Sequence, residues 1–477
     1  MKTGLRKKYD QMSPAVRTSV WFTFCQFLQR GIVVITVPVF TRLLATEEYG
    51  ICNIYFTWFD LFLLFTSLKI PYEGLNNGLI RYEEDKDGYT SSILGLIMFI
   101  TVGVSGIYLL FRRRIDLITG LNSRLMLLMF IQLIFQPPLM LWTNRERFDF
   151  RYRKPVMVTV VSTVLNLTVT VLAVMNSGYR AEARIVGSVF VQSLFGVILI
   201  AVLFWKGRTF YKKEYWNFAL RFNLPLIFYY ISQMVLNQSD RILINYFHGS
   251  GKAAVYSVAY SAATVMQLVL SAVNGSFHPW IYKKLKAGKF DEIKQTTSGV
   301  CILVGGAVFV VSVLAPDLVR IMATEEYMEA VWIIAPVSTS VFFTFLYMVF
   351  ANVEMYYGET RGVSVISIIC SVLNISLNIE FLPVFGYFAA GWTTLICYML
   401  LTLFHYWMMK RICRRNNLTE HLFDERFLLI ISIAVFIVSF AIMGLYQLGR
   451  LRYGVLLLMG ILIFVFWRNL YAILKEM

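Results

Sequence analysis

The chain repeats one pattern along its 477 residues: apolar stretches of about 20 residues are separated by short polar loops. A helix of about 20 residues is about 30 Å long, which matches the hydrocarbon core of a bilayer. Inside lipid, every backbone N–H and C=O must be bonded within the protein, so stretches of this length form helices. The pattern therefore predicts an all-α, polytopic membrane protein.

The basic residues alternate between successive loops and so predict an orientation. If the amino terminus is cytoplasmic, the even-numbered loops and both tails hold 30 of the 44 Lys and Arg residues. The odd-numbered loops hold 11, and the other three lie inside spans. Because short cytoplasmic loops carry the excess of Lys and Arg, we expect a multi-pass protein of the inner membrane with both termini cytoplasmic.

Composition excludes a soluble globule and argues against a nucleic-acid partner. Hydrophobic residues make up 58% of the chain and charged residues only 15%, so a soluble fold would expose far more apolar surface than it could cover. A net charge of +16 would suggest nucleic acid in a soluble protein. Here the positive excess clusters in four short cytoplasmic loops, which favours contact with anionic lipid headgroups instead.

We predict fourteen spans, each with the length that a bilayer demands. Their bounds are 18–40, 51–71, 91–111, 124–143, 155–175, 185–205, 223–244, 254–280, 297–315, 331–353, 362–382, 386–408, 427–447 and 453–473. Every predicted external loop is short, too short for a folded extracellular domain. Function must therefore lie among the helices.

Residues 206–222 divide the predicted spans into two groups. Their sequence, KGRTFYKKEYWNFALRF, alternates basic with aromatic residues, as a helix on the cytoplasmic membrane surface does; a solvated linker is the alternative. The groups look related, because TRLLATEEYGICNIYFT follows the first span and DRILINYFHGSGKAAVYSVAYSAA begins as the seventh ends. We expect two pseudo-symmetric six-helix lobes with two helices added. The expected domains are an N-lobe over 1–205, a linker over 206–222, a C-lobe over 223–409, and a loop with helices 13 and 14 over 410–477.

Four segments resemble the polysaccharide (Wzx-type) flippases of the multidrug, oligosaccharidyl-lipid and polysaccharide exporter superfamily. They are PVFTRLLATEEYG (38–50), GLNNGLIRYEED (74–85), FALRFNLP (218–225) and the pair Asp240-Arg241. The resemblance extends over nearly the whole chain through the order and placement of these segments. It implies two helical lobes around a central cavity, alternating access, and export of an undecaprenyl-diphosphate-linked oligosaccharide to the outer leaflet of a bacterial membrane. It also implies an ion gradient, of H⁺ or Na⁺, as the energy source.

Polar residues form stripes on the first two predicted helices. In the first span, Gln26 and Arg30 share a face, and Asp60 lies on the polar face of the second at a similar depth. Burying a charge in lipid costs roughly 2.5–3.5 kcal/mol, so the presence of Arg30 and Asp60 inside predicted spans requires an explanation. One interpretation is a structural ion pair. The other makes Arg30, with Gln26 beside it, a ligand of the substrate diphosphate, because its planar fork binds phosphate oxygens in pairs, while Asp60 orients it or exchanges a proton.

The seventh span carries a similar stripe. Gln233, Asn237 and the Asp240-Arg241 pair follow one face. Gln233 suits a sugar hydroxyl near the middle of the membrane, and Asp240 and Arg241 are expected as an ion pair near the outer end. Arg241 either acts in the gate or extends its side chain to the interface. For Lys69, at the cytoplasmic end of the second span, an interfacial position is favoured over attraction of the incoming diphosphate.

Prolines and histidines complete the candidate set. Pro137 and Pro138 are expected to kink the fourth span and form a hinge, since each lacks an N–H donor. The four histidines lie apart in sequence, so no metal site is expected, and no cofactor. The chain also has no GxxxxGK[ST] phosphate-binding loop, which argues against ATP hydrolysis.

These features favour a secondary transporter that is not an enzyme. The leading hypothesis is a flippase for a lipid-linked oligosaccharide, surrounded by membrane lipids and working beside polysaccharide polymerase machinery. A multidrug or cation exporter of the same superfamily is a first alternative and should carry unpaired acids in its cavity. A membrane enzyme of polysaccharide assembly is the second, and such enzymes need larger loops than those predicted here.

Overall fold

The computed structural model describes residues 14–416 and 422–457; a few side chains within these ranges, including those of Gln26 and Arg30, lie outside the described residues. The described residues form helices and connecting turns, without a strand among them. The long helices in chain order are α1 (Pro14–Leu43), α2 (Thr46–Ser67), α3 (Lys86–Thr119), α4 (Ser123–Phe148), α5 (Arg153–Met175), α6 (Arg180–Gly207), α7 (Lys213–Lys286), α8 (Phe290–Val313), α9 (Val331–Tyr356), α10 (Thr360–Phe385), α11 (Ala389–Arg415) and α12 (Glu425–Gly444).

The predicted all-α membrane fold is confirmed. Helices α1 to α12 coincide with the first thirteen predicted spans, because α7 contains both the seventh and the eighth. The fourteenth, 453–473, lies mostly outside the described residues. In the described part of the chain, nine helical segments are long and apolar enough to cross a membrane by length and composition.

A single glycine separates the two spans within α7. Gly249 has φ +83° and ψ 170°, while the residues around it are helical. This backbone conformation is essentially restricted to glycine, because a side chain would collide with the neighbouring carbonyl. Gly249 is therefore the point at which the seventh span ends and the eighth begins.

Short helices that the apolar pattern did not predict follow two of the spans. After α2, Leu68 and Lys69 adopt left-handed conformations, and a π-helical turn (Ile70–Gly74) and a short helix (Leu75–Arg81) follow. Another short helix, Ala315–Met322, follows α8. Segments this short carry too few residues for a helical period to show in the sequence.

The chain divides into two compact units, Met1–Ile231 and Ser232–Met477. In the first unit, hydrogen bonds between side chains join three helices. The Tyr55 hydroxyl on α2 donates to Gln132 Oε1 on α4 (2.8 Å), and Gln132 Nε2 donates to Gln192 Oε1 on α6 (2.7 Å). Such bonds satisfy polar groups that lipid cannot.

The predicted linker docks on the start of α3. Residues 208–212 form a loop, and the aromatic residues after it belong to the first turns of α7 rather than to a separate helix. The Tyr215 hydroxyl donates to Asp85 Oδ2 (2.7 Å), and Trp216 Nε1 donates to the Ser92 carbonyl (2.9 Å). Tyr211, by contrast, is 58% exposed. Part of the aromatic pattern that suggested a membrane-surface helix is thus used for packing within the protein.

Helix α9 is the central helix of the second unit. Buried residues make up 94% of its most apolar 18 residues, against 33% for α10 and 22% for α12 in the same unit. Its most extensive packing partner is α11, followed by α8 and α12. Buried polar groups on α9, and on the face of α11 that packs against it, therefore need partners inside the protein.

Candidate functional site

The polar face of α7 lies inside the second unit and meets α10 and α11. Gln233 Nε2 donates to Ser367 Oγ on α10 (3.3 Å). Asn237 Nδ2 donates to the Gln233 carbonyl (2.6 Å), and its Oδ1 accepts from the hydroxyls of Tyr260 (3.2 Å) and Tyr398 (3.4 Å). The face predicted from the sequence is thus a set of hydrogen-bonded side chains.

Asp240 forms the most buried part of this site. Its side chain is 1% exposed and accepts three hydrogen bonds from neutral donors. Oδ2 accepts from the hydroxyls of Tyr256 (2.5 Å) and Thr394 (2.6 Å), and Oδ1 accepts from Asn378 Nδ2 (2.8 Å). These donors come from the second half of α7, from α11 and from α10, so the carboxyl group joins three helices.

A second layer of hydrogen bonds holds these donors in place. Asn378 Oδ1 accepts from the Thr393 hydroxyl (2.8 Å), which leaves its amide directed at Asp240. Asn374 Oδ1 accepts from the Ser239 hydroxyl (2.9 Å) and from Asn378 Nδ2 (3.3 Å). These bonds fix the orientation of the donors around the Asp240 carboxyl group.

The expected Asp240-Arg241 ion pair is corrected by the structure. Arg241 Nη1 donates to Gln238 Oε1 (2.9 Å), and its guanidinium carbon lies 4.6 Å from the centre of the Tyr260 ring. Arg241 Nε is buried and has no hydrogen-bond partner in the part of the chain that the structure describes. Consecutive helical residues point about 100° apart, which explains why the two groups do not meet.

Asp240 is buried without a salt bridge, although Arg241 acts on it electrostatically. Placing a carboxylate in the membrane costs roughly 2.5–3.5 kcal/mol on insertion scales. Three hydrogen bonds to the carboxyl group reduce that cost. Asp240 also lies farther from the end of its span than the sequence predicted, because α7 continues beyond it for nine residues, or about 14 Å, to the break at Gly249.

In the first unit, the structure places Asp60 beside the turn that follows α2. Asp60 is exposed and acts electrostatically on Lys69 and Tyr72. Lys69 Nζ lies 5.1 Å from the centre of the Tyr72 ring. The predicted partners Gln26 and Arg30 lie outside the described side chains, so their place in the site stays a prediction.

Helix α4 runs unbroken through Pro137 and Pro138, and both prolines are buried. The helix is not interrupted at the prolines, and the expected kink and hinge stay predictions. Each proline removes one backbone hydrogen bond, and α4 packs closely against α6. A Cβ on Gly196 of α6 would lie 2.5 Å from the Phe135 carbonyl oxygen, which shows how closely the two helices approach there.

One buried ionisable pair was not predicted from the sequence. Glu354 Oε1 on α9 lies 3.0 Å from His405 Nδ1 on α11, and both side chains are 0% exposed. The ring of Tyr347 stacks on His405 with 5.5 Å between centres. The tenth span was predicted to end at residue 353, so Glu354 fell in a loop. The signal was that α9 contains no other charged residue, and a lone acid in an apolar helix needs a partner.

Two family models match the chain. The model described as "Polysaccharide biosynthesis protein" matches residues 15–284, more than half of the sequence, and the MatE model matches residues 225–379. An uncharacterised membrane protein of Haemophilus influenzae is 24% identical over 357 residues, covering 71% of this chain and 82% of that protein. The Lsg locus putative protein 1 of the same organism is 20% identical over 376 residues, covering 76% of this chain and 89% of that protein.

Solved structures share the fold. Lipid II flippase MurJ, in an inward closed conformation, superposes with a TM-score of 0.63 at 14% identity, covering 95% of this chain and 98% of MurJ. An inward-facing multidrug resistance MATE family transporter of the MOP superfamily superposes with a TM-score of 0.56 at 12% identity, covering 82% of this chain and 99% of that transporter. The match to more than half of the sequence shows that the chain belongs to the polysaccharide biosynthesis protein family of the multidrug, oligosaccharidyl-lipid and polysaccharide exporter superfamily, and it has the fold of that superfamily's membrane transporters.

Proposed function

We propose that this protein is a flippase that moves an undecaprenyl-diphosphate-linked oligosaccharide from the cytoplasmic to the outer leaflet of a bacterial inner membrane. The description of its family as a polysaccharide biosynthesis protein and its fold likeness to a lipid II flippase support this substrate class. Alternating access carries the headgroup across while the lipid tail stays in the bilayer. Both termini are cytoplasmic, and the exported units are taken up by polymerase machinery.

The observation that carries the proposal is the buried Asp240 carboxyl group. It joins α7, α10 and α11, and its hydrogen-bond donors are neutral. The hydroxyl oxygens of Tyr256 and Thr394 keep lone pairs free after donating their protons. A carboxylate among such oxygens can take up a proton or a small hard cation, and its charge then changes at the junction of three helices. This is the property that a secondary transporter needs for coupling to H⁺ or Na⁺.

The other predicted residues bind the substrate, exchange a proton or act in the gate. Arg30 and Gln26 bind the diphosphate, Asp60 orients Arg30 or exchanges a proton, and Lys69 attracts the incoming headgroup at the end of α2. In the second unit, Gln233 and Asn237 contact sugar hydroxyls. The unbonded Nε of Arg241 supports a role in gating, since this donor can bind an acceptor when the helix moves.

A multidrug or cation exporter is the second candidate, and one observation favours it. The MatE model matches residues 225–379, and Asp240 within them has no ion pair with Arg241. The burial of Asp240 speaks against a drug site there, because a side chain 1% exposed and bonded by three neighbours has no room for a bulky cation. We therefore assign Asp240 to coupling.

A deletion strain tests the proposal. Loss of the gene should reduce surface polysaccharide and cause the lipid-linked repeat unit to accumulate on the cytoplasmic side. The wild-type chain should restore export, and collapse of the ion gradient should stop it. Asp240→Asn keeps the shape of the side chain but removes its charge, and should fail to restore export.

The matched control is Asp291→Asn, which changes an exposed acid at the start of α8 and should restore export fully. Equal export by both variants would remove Asp240 from the coupling mechanism. Normal surface polysaccharide in the deletion strain, with new sensitivity to cationic drugs, would favour the exporter instead.

A further inference from the structure

A cavity of about 300 Å³ lies within the first unit between α1, α2, α5 and α6. Its polar lining comes from Thr163, Asn166 and Thr170 on α5 and from Arg184 and Ser188 on α6. Arg184 lies four residues after the start of α6, about 6 Å along the helix, and Thr163 lies twelve residues before the end of α5, about 18 Å. The cavity therefore extends along the helices towards the middle of the membrane.

Arg184 is held at this cavity by aromatic rings. Its guanidinium carbon lies 4.0 Å from the centre of the Phe40 ring, 5.2 Å from that of Tyr49 and 5.7 Å from that of Phe56. Aromatic faces attract a cation and fix the plane of the guanidinium group. They supply no negative charge.

No acid within the described residues forms an ion pair with Arg184. The acid nearest to it in sequence, Glu182, accepts from Asn122 Nδ2, and Glu48 accepts from the Ala45 backbone at the start of α2. Arg184 also acts electrostatically on the Cys52 thiol, which donates to the Ala181 carbonyl (3.6 Å). Its Nη1 atom is buried and has no hydrogen-bond partner in this part of the chain. An arginine in this state has donors available for a planar anion.

Helix α5 contributes acceptors to the same cavity. The hydroxyls of Thr163 and Thr170 donate to backbone carbonyls one turn earlier, at 2.7 Å and 2.6 Å. Each hydroxyl has thus used its only proton and retains lone pairs. Asn166 Nδ2 donates to Ser188 Oγ (3.2 Å). A ligand that carries both an anionic group and hydroxyl donors would satisfy Arg184 and these acceptors.

We propose that this cavity binds an acidic monosaccharide unit of the transported glycan. Its carboxylate or phosphate group lies against Arg184, its hydroxyls donate to Thr163 and Thr170, and its apolar ring face packs on Phe56. The inference rests on the proposed function and narrows its substrate class to acidic glycans. A lipid phosphate alone would leave the acceptors on α5 unused.

The test measures binding directly to the purified full-length protein in nanodiscs, by saturation-transfer NMR and calorimetry. The probes are glucuronate, glucose 1-phosphate, glucose and inorganic phosphate. The wild type should bind both acidic sugars better than glucose or phosphate. Arg184→Gln should weaken acidic-sugar binding by about tenfold or more, because a charge-assisted hydrogen bond is lost. Thr170→Val, which keeps the side-chain volume, should weaken it less.

The control is Arg180→Gln one turn earlier, where the arginine is exposed and donates to the Leu43 carbonyl; binding should not change. If Arg184→Gln does not fold, Arg184→Lys keeps the charge and should bind weakly, because it lacks the fork. Equal binding of phosphate and acidic sugars would show an anion site without sugar recognition and overturn the proposal. Equal binding by wild type and Arg184→Gln would do the same.

Failure of this inference is distinguishable from failure of the proposed function. If the protein does not bind acidic sugars but its deletion strain still accumulates the lipid-linked intermediate, the proposed flippase function stands. Only the acidic subsite is then ruled out. Acidic-sugar binding in a protein whose deletion leaves surface polysaccharide normal would support the site and contradict the flippase.

Discussion

Glu354 on α9 and His405 on α11 form a buried pair, with 3.0 Å between Oε1 and Nδ1. The remaining atoms of the pair, Glu354 Oε2 and His405 Nε2, have no hydrogen-bond partner within the described part of the chain. Each residue is therefore the principal partner of the other. A pair of this kind is costly to break, since the residue that remains is left buried and uncompensated.

We expect His405→Phe to lower the free energy of unfolding by roughly 3–5 kcal/mol, as it strands Glu354 in the core. In the double variant His405→Phe with Glu354→Leu, the loss of unfolding free energy should be smaller than the sum of the losses in the two single variants, because no isolated polar group remains. Thermal unfolding of the purified protein in detergent measures both. His248→Phe is the control: His248 bonds only a backbone carbonyl in the described structure, so about 1 kcal/mol should be lost. Strict additivity would contradict the pairing.

The second prediction concerns Arg30, whose side chain was placed by sequence reasoning alone. Arg30→Ala should abolish transport while the protein still inserts, and Arg30→Lys should retain little, because an ammonium group cannot bind two phosphate oxygens side by side. Export of the lipid-linked unit and the amount of protein in the membrane are both measured. Recovery of export in Arg30→Ala with Asp60→Ala would mark a structural ion pair. A fully active Arg30→Ala variant would exclude both roles.

The third prediction tests the break in α7. Gly249→Ala should lower the free energy of unfolding by about 1–3 kcal/mol, because alanine is strained at φ +83° and ψ 170°. Gly275→Ala in the same helix is the matched control. An added Cβ meets nothing within 4 Å at either position, so only the backbone conformation differs. The control should stabilise the protein by roughly 0.5–1 kcal/mol. Equal melting temperatures would argue against a fixed break at Gly249.

The fourth prediction concerns orientation. A cysteine introduced at Lys289 should resist an impermeant thiol reagent added to intact cells, while one at Tyr179, which is 79% exposed, should react. The charge bias of the loops places the first in the cytoplasm and the second outside. All six native cysteines are buried, so background labelling should be low. Labelling at Lys289 with none at Tyr179 would reverse the topology.

The sequence by itself determined the helices, because lipid permits few other structures. A span must be about 20 residues long and apolar, and its backbone must bond internally, so hydropathy and length predict α1 to α12 without knowledge of packing. The polar face of α7 was predictable for a similar reason. Gln233, Asn237 and Asp240 recur at helical spacing, and this period depends only on the local geometry of the chain. Gly249 was not predicted, since its role appears only in its backbone angles.

Only the tertiary structure decided which polar groups meet. Asp240 is bonded by Asn378 and Thr394, more than 130 residues away, and not by the adjacent Arg241. Glu354 and His405 lie 51 residues apart. Helical periodicity predicts on which face of its helix a side chain lies. Which residues of other helices contact that face depends on how the helices pack. Arg184 illustrates the same point: its rings come from α1 and α2, so its lack of an acidic partner is a property of the packed helices and is invisible in the linear sequence.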